Sequence, residues 1–406
     1  MDRYQTRPSL GSRLRRSRPP RSRSGRSLTL TLVVVAGLAL TGCVHASGLE
    51  APRAAAKPDR TSFGPVRAAQ LVTATRGWAL LPGRLAWTDD GGATWRDITP
   101  AQAPAPGVRG VFFLDGSHGW VVASRGAAAE GSVALGVFRT ADGGRTWSSA
   151  SVSAPSAANA SAYGGPAWVR FVDALHGWIL VKDVSSSNFS FGRLYRTKDG
   201  GRSWTALETP LGDPVTFVDR LTGWTAGGPA GDRLFITRDG GRSWQRQTVP
   251  LPSASAGGSV TYALPVKDDG AVVLSTTLVK GDRATVAWYR SLDAGRTWRL
   301  ANRLATTDQV EPGVRVPVAV AGSDTWVSVL PSSRRLVRLR GDGATLAVLD
   351  PPTAPAGVQE LQFATATAGW ALGSSATCPA GEPCPLGGML FRTGDGGSTW
   401  REVTVR

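Results

Sequence analysis

One aspartate recurs along this chain between hydroxyl, glycine and tryptophan residues, in a setting that could support chemistry. The pattern is Ser/Thr-x-Asp-x-Gly-x-Ser/Thr-Trp. Its six copies have the aspartate and tryptophan at Asp90 and Trp95, Asp142 and Trp147, Asp199 and Trp204, Asp239 and Trp244, Asp293 and Trp298, and Asp395 and Trp400. Carboxylate and hydroxyl oxygens at this spacing could bind a cation or exchange protons. Six near-identical copies cannot all converge on one site, so we interpret them as structural.

The residue types of these Asp boxes suit a tight turn between two strands. Glycine adopts positive φ without steric cost. Aspartate and Ser/Thr side chains accept hydrogen bonds from turn amides. The terminal tryptophan is expected to wedge between strands of its own repeat, burying roughly 150–250 Å².

Cysteine and histidine offer few further ligands. Cys378 and Cys384 lie in a Pro- and Gly-containing stretch, and outside the cytoplasm we expect them to form a disulfide that closes a small loop. His118 and His176 hold the same position in consecutive repeats, which indicates a shared role in a turn. We therefore predict no metal site and no cofactor.

No catalytic set is recognised among the acidic residues. A glycosidase needs two carboxylates on either side of the scissile bond. Most aspartates belong to the repeats, and the remaining acids, such as Glu130, Glu208, Glu311 and Glu360, form no recognisable group. We predict no catalytic residue from the sequence.

The boxes recur 40 to 57 residues apart, which indicates a repeat fold. A seventh, degenerate copy occupies 339–346. Most boxes follow a second motif, Phe-x-Asp-x-x-x-Gly-Trp, as from Phe113 to Trp120. Short β-rich runs bounded by Gly and Asp predict four strands per unit, and 50 Gly and 27 Pro argue against long helices. The sequence therefore predicts an all-β, seven-bladed β-propeller with four-stranded antiparallel blades over residues 64–406.

A propeller separates its connections onto two faces. The turns between strands one and two and between strands three and four share one face, which carries the uniform motifs. The other connections share the opposite face, and the insertions fall there, at 124–132, 148–166, 182–191, 279–285 and 374–388. We expect this long-loop face to bind a protein or glycan partner; drift in unconstrained loops is the alternative. Ring closure is left open between packing of the terminal blades and addition of residues 60–64 to the last blade.

Residues 1–42 have the features of a targeting segment. Nine Arg and one Asp precede an apolar run at 28–40, and the run leads into Leu40-Thr41-Gly42-Cys43. This end resembles the bacterial lipobox. It predicts a lipoprotein signal peptide at 1–42, lipidation of Cys43, a flexible tether at 43–63, and a location on the extracytoplasmic face of the cell membrane. The alternative is a short transmembrane anchor, but the run is shorter than the about 20 residues that a span requires.

The net charge is +16, of which residues 1–42 contribute 9 − 1 = +8, so the remainder carries 16 − 8 = +8. Many of these cations are arginines within the repeats, such as Arg139 and Arg196. They are either solvated turn residues or a means of attracting anionic lipid headgroups or an acidic partner. Nucleic acid is not expected as a partner of an exported protein.

The paired motifs, seen in Phe113 to Trp120 followed by Arg139 to Trp147, resemble the Asp-box (BNR) repeats of sialidases, sortilin-like receptors and some glycoside hydrolases. They are also similar to propellers of the photosystem II assembly and stability factor type. This resemblance covers 64–406 and implies the propeller fold, but unrelated activities share the box. A sialidase would use three arginines and a Tyr–Glu pair, and Arg315-Val316-Pro317 falls after five boxes instead of before the first. The sequence favours a non-enzymatic, membrane-anchored scaffold; the alternative is an exported glycoside hydrolase of sialidase-like or xyloglucanase-like type.

Overall fold

The computed structural model describes residues 65–103, 107–127, 132–155, 167–185, 188–252, 257–306, 312–323, 325–330, 335–343, 345–374 and 388–406. The chain divides into two units, Met1–Pro58 and Asp59–Arg406, and all described residues belong to the second. Cys43, Cys378 and Cys384 lie outside the described residues, so lipidation and the disulfide remain predictions. A search of the described residues finds no helix with the length and apolar character of a membrane span.

The described strands form seven antiparallel sheets in chain order. Blade 1 contains β1 (Ala68–Leu71), β2 (Gly77–Leu81), β3 (Arg84–Thr88) and β4 (Arg96–Asp97). Blade 2 contains β5 (Val108–Phe113), β6 (Gly119–Ala127), β7 (Ser132–Thr140) and β8 (Ser148–Pro155). Blade 3 contains β9 (Ala167–Phe171), β10 (Gly177–Ser185), β11 (Ser190–Thr197) and β12 (Thr205–Leu207). Blade 4 contains β13 (Val215–Phe217), β14 (Gly223–Gly227), β15 (Arg233–Thr237) and β16 (Gln245–Gln247).

The remaining three blades follow the same order. Blade 5 contains β17 (Ser259–Tyr262), β18 (Val266–Asp268), β19 (Ala271–Lys280), β20 (Arg283–Ser291) and β21 (Arg299–Thr306). Blade 6 contains β22 (Val318–Val320), β23 (Thr325–Val329), β24 (Leu336–Arg340) and β25 (Leu346–Leu349). Blade 7 contains β26 (Ala356–Phe363), β27 (Gly369–Ser374), β28 (Met389–Thr393) and β29 (Arg401–Val403). The chain is a seven-bladed β-propeller. The prediction of fold class and blade number is confirmed, and the degenerate copy at 339–346 forms the β24–β25 turn.

Blade 5 departs from the common plan. Its first strand is split, and β17 and β18 both pair with β19. The break occurs in the unit that lacks the Gly-Trp motif, where Asp268 and Gly270 form a tight hairpin turn instead.

The Phe-x-Asp-x-x-x-Gly-Trp motif has a packing explanation. Its phenylalanine pairs across the sheet with its glycine, as Phe113 does with Gly119 and Phe171 with Gly177. A Cβ on Gly119 or Gly177 would collide with the aromatic ring of its partner. The glycine is therefore needed because the ring of the facing strand occupies the space of a side chain.

The hydrophobic core lies between blades. Buried residues form seven clusters, one at each junction of neighbouring blades. The box tryptophans join these clusters at the junction with the preceding blade: Trp147, for example, donates from Nε1 to the carbonyl of Ile98 in blade 1 at 3.0 Å. The expectation that they wedge between strands of their own blade was wrong, because the hydrophobic core of this fold lies between neighbouring sheets.

Three of the insertions contain strand residues. The described residues 124–127 and 132, 182–185 and 190–191, and 279–280 and 283–285 belong to the long β6–β7, β10–β11 and β19–β20 pairs. Likewise Ser148–Pro155 pairs along β7, although its Ser- and Ala-rich sequence has low strand propensity. The long β7 strand offers backbone N–H and C=O groups that need partners. Hydrogen bonding to these groups outweighs the low strand propensity of Ser148–Pro155.

The ring closes by side-chain and backbone contacts between complete blades. The backbone N–H of Val66 donates to the Gly388 carbonyl at 2.9 Å. The Gln362 side chain of blade 7 accepts from Leu71 N–H at 2.9 Å and donates to the Ala69 carbonyl at 3.0 Å. Within the described ranges no strand crosses between blades 7 and 1, although an isolated antiparallel bridge joins Val66 to Gly388. Residues 60–64 lie outside these ranges.

Candidate functional site

The Asp-box carboxylates are fully used by their own turns. Asp90 Oδ1 accepts from the backbone N–H of Ala93 at 2.9 Å and of Thr94 at 2.8 Å. The Thr88 hydroxyl donates to the same oxygen at 2.7 Å, and the Thr94 hydroxyl donates to Oδ2 at 2.6 Å. The hydrogen bonds from Thr94 and Thr88 hold the pKa of Asp90 well below its usual range.

The other boxes repeat this geometry. A Ser or Thr hydroxyl lies 2.6–2.7 Å from Oδ2 of Asp142, Asp199, Asp239, Asp293 and Asp395. The described residues contain no group of three or more His, Cys, Asp or Glu side chains that could hold a metal ion. Each box carboxylate therefore acts within its turn and joins no shared site.

The boxes also link neighbouring blades. At every junction a backbone carbonyl of a box glycine accepts a hydrogen bond from the preceding blade. The pairs are Arg392 to Gly91, Arg96 to Gly143, Trp120 to Gly200, Trp178 to Gly240, Gln247 to Gly295, Asn302 to Gly343, and Arg338 to Gly396. Many of the repeat arginines are therefore bonded within the ring.

The strand one-to-two turns and the boxes share one face, as predicted. Gly91 N–H donates to the Thr75 carbonyl at 2.6 Å, and Gly143 N–H donates to Ser117 at 2.9 Å. We call this side the Asp-box face. His118 Nδ1 lies 2.9 Å from Asp115 there, and His176 contacts Asp173 in the same way, which confirms their shared role in the turn.

A basic groove of about 590 Å³ lies on the Asp-box face across blades 3 to 5. Its cations are Arg196, Lys198, Arg220, Arg238 and Arg296. Arg196 donates to the carbonyls of Asp239 and Arg220, both at 3.1 Å, and Arg238 donates to Ala294 at 3.3 Å. Burial, and then the nearby Arg296, lower the pKa of Arg238. Part of the positive charge in this groove is thus held by backbone carbonyls.

The opposite side, which we call the hairpin face, carries the long β6–β7, β10–β11 and β19–β20 hairpins. On the β10–β11 hairpin Phe191 is 57% exposed, and its ring lies 5.0 Å from that of Phe189. The turn end of this hairpin is held against the segment that leads into blade 4, because Gly212 N–H donates to the Ser190 carbonyl at 3.0 Å and Lys182 lies 3.4 Å from Asp213. A rigid support therefore presents an exposed aromatic pair.

The central channel forms a cavity of about 650 Å³ lined by the first strands of six blades. Its charged lining residues are Arg67, Arg109, Arg170, Lys267 and Glu360. Arg67 and Arg109 lie at the beginning of β1 and β5, toward the hairpin face. Arg170 and Lys267 lie near the ends of β9 and β18, toward the Asp-box face. One channel thus holds cations from four blades.

The Glu360 side chain is exposed to the interior of the channel, where the surrounding blades reduce its contact with bulk water. Burial raises the pKa of this carboxyl, and Arg170 and the Ala69 N–H oppose that rise. Glu360 is the one carboxylate among the described residues that line the channel.

Arg109 and Arg170 in the channel are half-buried and have few partners. Arg170 Nη1 donates to the Val169 carbonyl at 2.8 Å, and its guanidinium lies 5.6 Å from the Phe112 ring. Arg109 has no hydrogen-bond or ion-pair partner in the part of the chain that the structure describes. Burial lowers the pKa of both arginines. The sequence analysis did not identify this cluster of channel cations. The signal that could have found it is a charged residue directly before the motif phenylalanine, such as Arg170, because that position faces the channel.

Comparisons with known proteins support no assignment beyond the fold. No protein-family model and no curated protein matches the sequence. Similar solved structures include YCF48 from Cyanidioschyzon merolae, with 17% identity over 74% of this chain and 86% of that chain and a TM-score of 0.43. A GH74 xyloglucanase from Xanthomonas campestris has 14% identity over 84% and 68%, with a TM-score of 0.47. A GH93 α-L-arabinofuranosidase of Fusarium graminearum has 12% identity over 72% and 94%, with a TM-score of 0.38.

Proposed function

We propose that this protein is a non-enzymatic, lipid-anchored propeller that holds a protein or glycan partner outside the cytoplasmic membrane, as a binding or assembly scaffold. The observation that carries the proposal is the exposed Phe191, stacked on Phe189 at the turn end of the β10–β11 hairpin of blade 3. Aromatic side chains give large contact areas and are enriched in the centres of binding interfaces. Long hairpins from blades 2, 3 and 5 stand on the same face, so a partner can contact several blades.

The proposal is tested by recovering partners with the full-length protein from the membranes of its source cells. Phe191→Ala should reduce recovery of a specific protein or glycan. Leu292→Ala is the matched control, because Leu292 is 68% exposed but belongs to a turn of the Asp-box face. Equal recovery by both variants and the unaltered protein would contradict a binding role for the hairpin face.

Membrane attachment has its own test. Cys43→Ala removes the residue that we propose is lipidated, so the variant should leave the membrane fraction. If it stays in that fraction, the anchor is not a lipid on Cys43.

Glycoside hydrolysis is the second candidate, and Glu360 favours it. A carboxyl group whose pKa is raised by burial within a channel is suited to general acid catalysis. The reaction needs a second carboxylate about 5–10 Å away, and the described lining offers only Glu360. A panel of fluorogenic glycosides decides between the candidates: hydrolysis that is lost in Glu360→Gln supports the enzyme, and no hydrolysis by the unaltered protein counts against it.

A further inference from the structure

The central channel holds more positive charge than the fold uses. Four cations, Arg67, Arg109, Arg170 and Lys267, line it together with the single described carboxylate of Glu360. The charges sum to 4 − 1 = +3 when Glu360 is ionised. None of the four cations forms an ion pair within the described ranges. The charge of the channel is therefore uncompensated.

The arginines at the blade junctions differ in this respect. Arg392, for example, donates to the Gly91 carbonyl at 3.1 Å, and Arg96 donates to Gly143 at 2.7 Å. Those guanidinium groups help to hold neighbouring blades together. Arg109 contributes no such bond, and Arg170 bonds only to the carbonyl of the preceding residue. Among the described residues, Arg109 therefore makes no contribution of this kind, and Arg170 contacts the neighbouring blade only through the Phe112 ring.

Placement of the cations suits one ligand. The first strands run from the hairpin face to the Asp-box face, so Arg67 and Arg109 lie near one end of the cavity and Arg170 and Lys267 near the other. A cavity of about 650 Å³ falls within the range of about 300–1,000 Å³ that is typical of small-molecule sites. Phe112 lies beneath the Arg170 guanidinium and restricts its position. The groups are thus held by strands of a closed ring.

Unpaired cations in such a cavity favour oxyanions. Their attraction to a bound anion is stronger inside the protein than in water, because the effective dielectric constant is lower. Guanidinium groups bind carboxylate and phosphate oxygens through two parallel hydrogen bonds. Two or three negative charges on the ligand would balance the channel.

We propose that the central channel binds a small multivalent oxyanion, a polycarboxylate or a polyphosphate, through Arg67, Arg109, Arg170 and Lys267. This site goes beyond the proposed scaffold function and does not depend on the hairpin face. Glu360 repels the bound anion and limits its affinity.

The test is calorimetric titration of the full-length protein with pyrophosphate and, separately, with citrate. We expect one site per chain for at least one anion, and the stronger response distinguishes the phosphate source from the carboxylate source. Arg109→Gln and Arg170→Gln should each weaken binding at least about tenfold, because each removes a direct charge contact with the anion. Glu360→Gln should tighten binding.

Arg145→Gln is the matched control, since Arg145 is exposed on the Asp-box face and the variant makes the same change in charge. Its affinity should equal that of the unaltered protein. Equal weakening by Arg145→Gln, or no heat of binding with either anion, would overturn the proposal. If Arg109→Gln fails to fold, Arg109→Lys keeps the charge and should retain part of the affinity; complete retention together with an unchanged Arg170→Gln would also overturn it.

Discussion

The ring of Phe171 lies flat on the indole of Trp120, with centroids 3.5 Å apart and planes inclined by 8°, although the two residues belong to different blades. The same ring covers Gly177 on its own sheet. Phe217 repeats both contacts one blade later, stacking on Trp178 at 3.6 Å and covering Gly223. In these two repeats one phenylalanine therefore completes its own sheet and joins it to the preceding one.

Replacement of Phe171 should damage this junction strongly. Phe171→Ala leaves a cavity at the junction of blades 2 and 3, and we expect a loss of about 3–5 kcal/mol in the free energy of unfolding. Urea denaturation followed by tryptophan fluorescence measures this change. Phe191→Ala removes the same atoms from an exposed position and should change stability by less than about 0.5 kcal/mol. A comparable loss in both variants would contradict the role of Phe171.

Replacement of Ala294 by glycine should stabilise the protein. It is the one described non-glycine residue with positive φ, at 55°, and it replaces the first glycine of the fifth box. The left-handed conformation costs a residue with a Cβ about 1–2 kcal/mol, and part of this is offset by the greater backbone entropy of unfolded glycine. Ala294→Gly should therefore raise the midpoint of thermal unfolding.

A reciprocal variant checks the explanation for Ala294. Gly270 has φ of 69° and open space where a Cβ would lie, so Gly270→Ala introduces the backbone strain without a steric clash. Its unfolding midpoint should fall. If Ala294→Gly lowers the midpoint, strain at position 294 is not the dominant effect.

The Asp boxes should make the free energy of unfolding depend on pH in the acid range. Burial acts to raise the pKa of Asp239, but the hydrogen bonds from Ser243 and Thr237 lower it to about 2. The folded pKa lies below the unfolded value of about 3.9. The contribution of the box to stability is therefore present above about pH 4 and is lost as the pH falls toward 2.

Asp239→Asn tests this dependence. The variant should be less stable at neutral pH, and its stability should change less than that of the unaltered protein between pH 4 and about 2. Chemical denaturation at a series of pH values measures both curves. Asp282→Asn, at the exposed β19–β20 turn, is the control for the loss of one negative charge outside any box.

Glu360 should make the free energy of unfolding depend on pH in the opposite direction. Burial raises its pKa above the unfolded value, so its ionised form destabilises the fold at any pH above the folded pKa. Stability is regained as the pH falls through that value. Glu360→Gln should be more stable than the unaltered protein at neutral pH, and the difference should vanish in acid. The measurement needs a buffer without multivalent anions; equal stability at neutral pH would argue against a pKa of Glu360 that is raised by burial.

Local turn chemistry explains why so much of the fold could be predicted. The Asp, Gly and Ser/Thr of each box satisfy one another within eight residues, so the turn, its repetition and its face can be read from short segments of sequence. The pairing of Phe113 with Gly119 follows from the same local spacing. Blade number and strand order then result from counting repeats.

Features that depend on a neighbouring blade could not be predicted in this way. The destination of Trp147 depends on the carbonyl of Ile98 in the preceding sheet. The length of β8 depends on the edge that β7 presents. The meeting of Arg109, Arg170 and Glu360 requires a closed ring of known order, because these residues are far apart along the chain. The sequence shows that Arg170 directly precedes the motif phenylalanine Phe171, but it does not show that the Arg170 side chain faces the channel.

The junction of blades 7 and 1 resembles the others because each described sheet is built from one continuous stretch of chain. Gln362 bonds to the backbone of blade 1 in the way that Gln70 bonds to Phe113 in blade 2, and Val66 packs in the same cluster as Val405. The first and last strands of the ring thus meet at an ordinary seam. The starting point of the propeller is a matter of gene order more than of architecture, and the ring is suited to circular permutation, with new termini opened between any two blades.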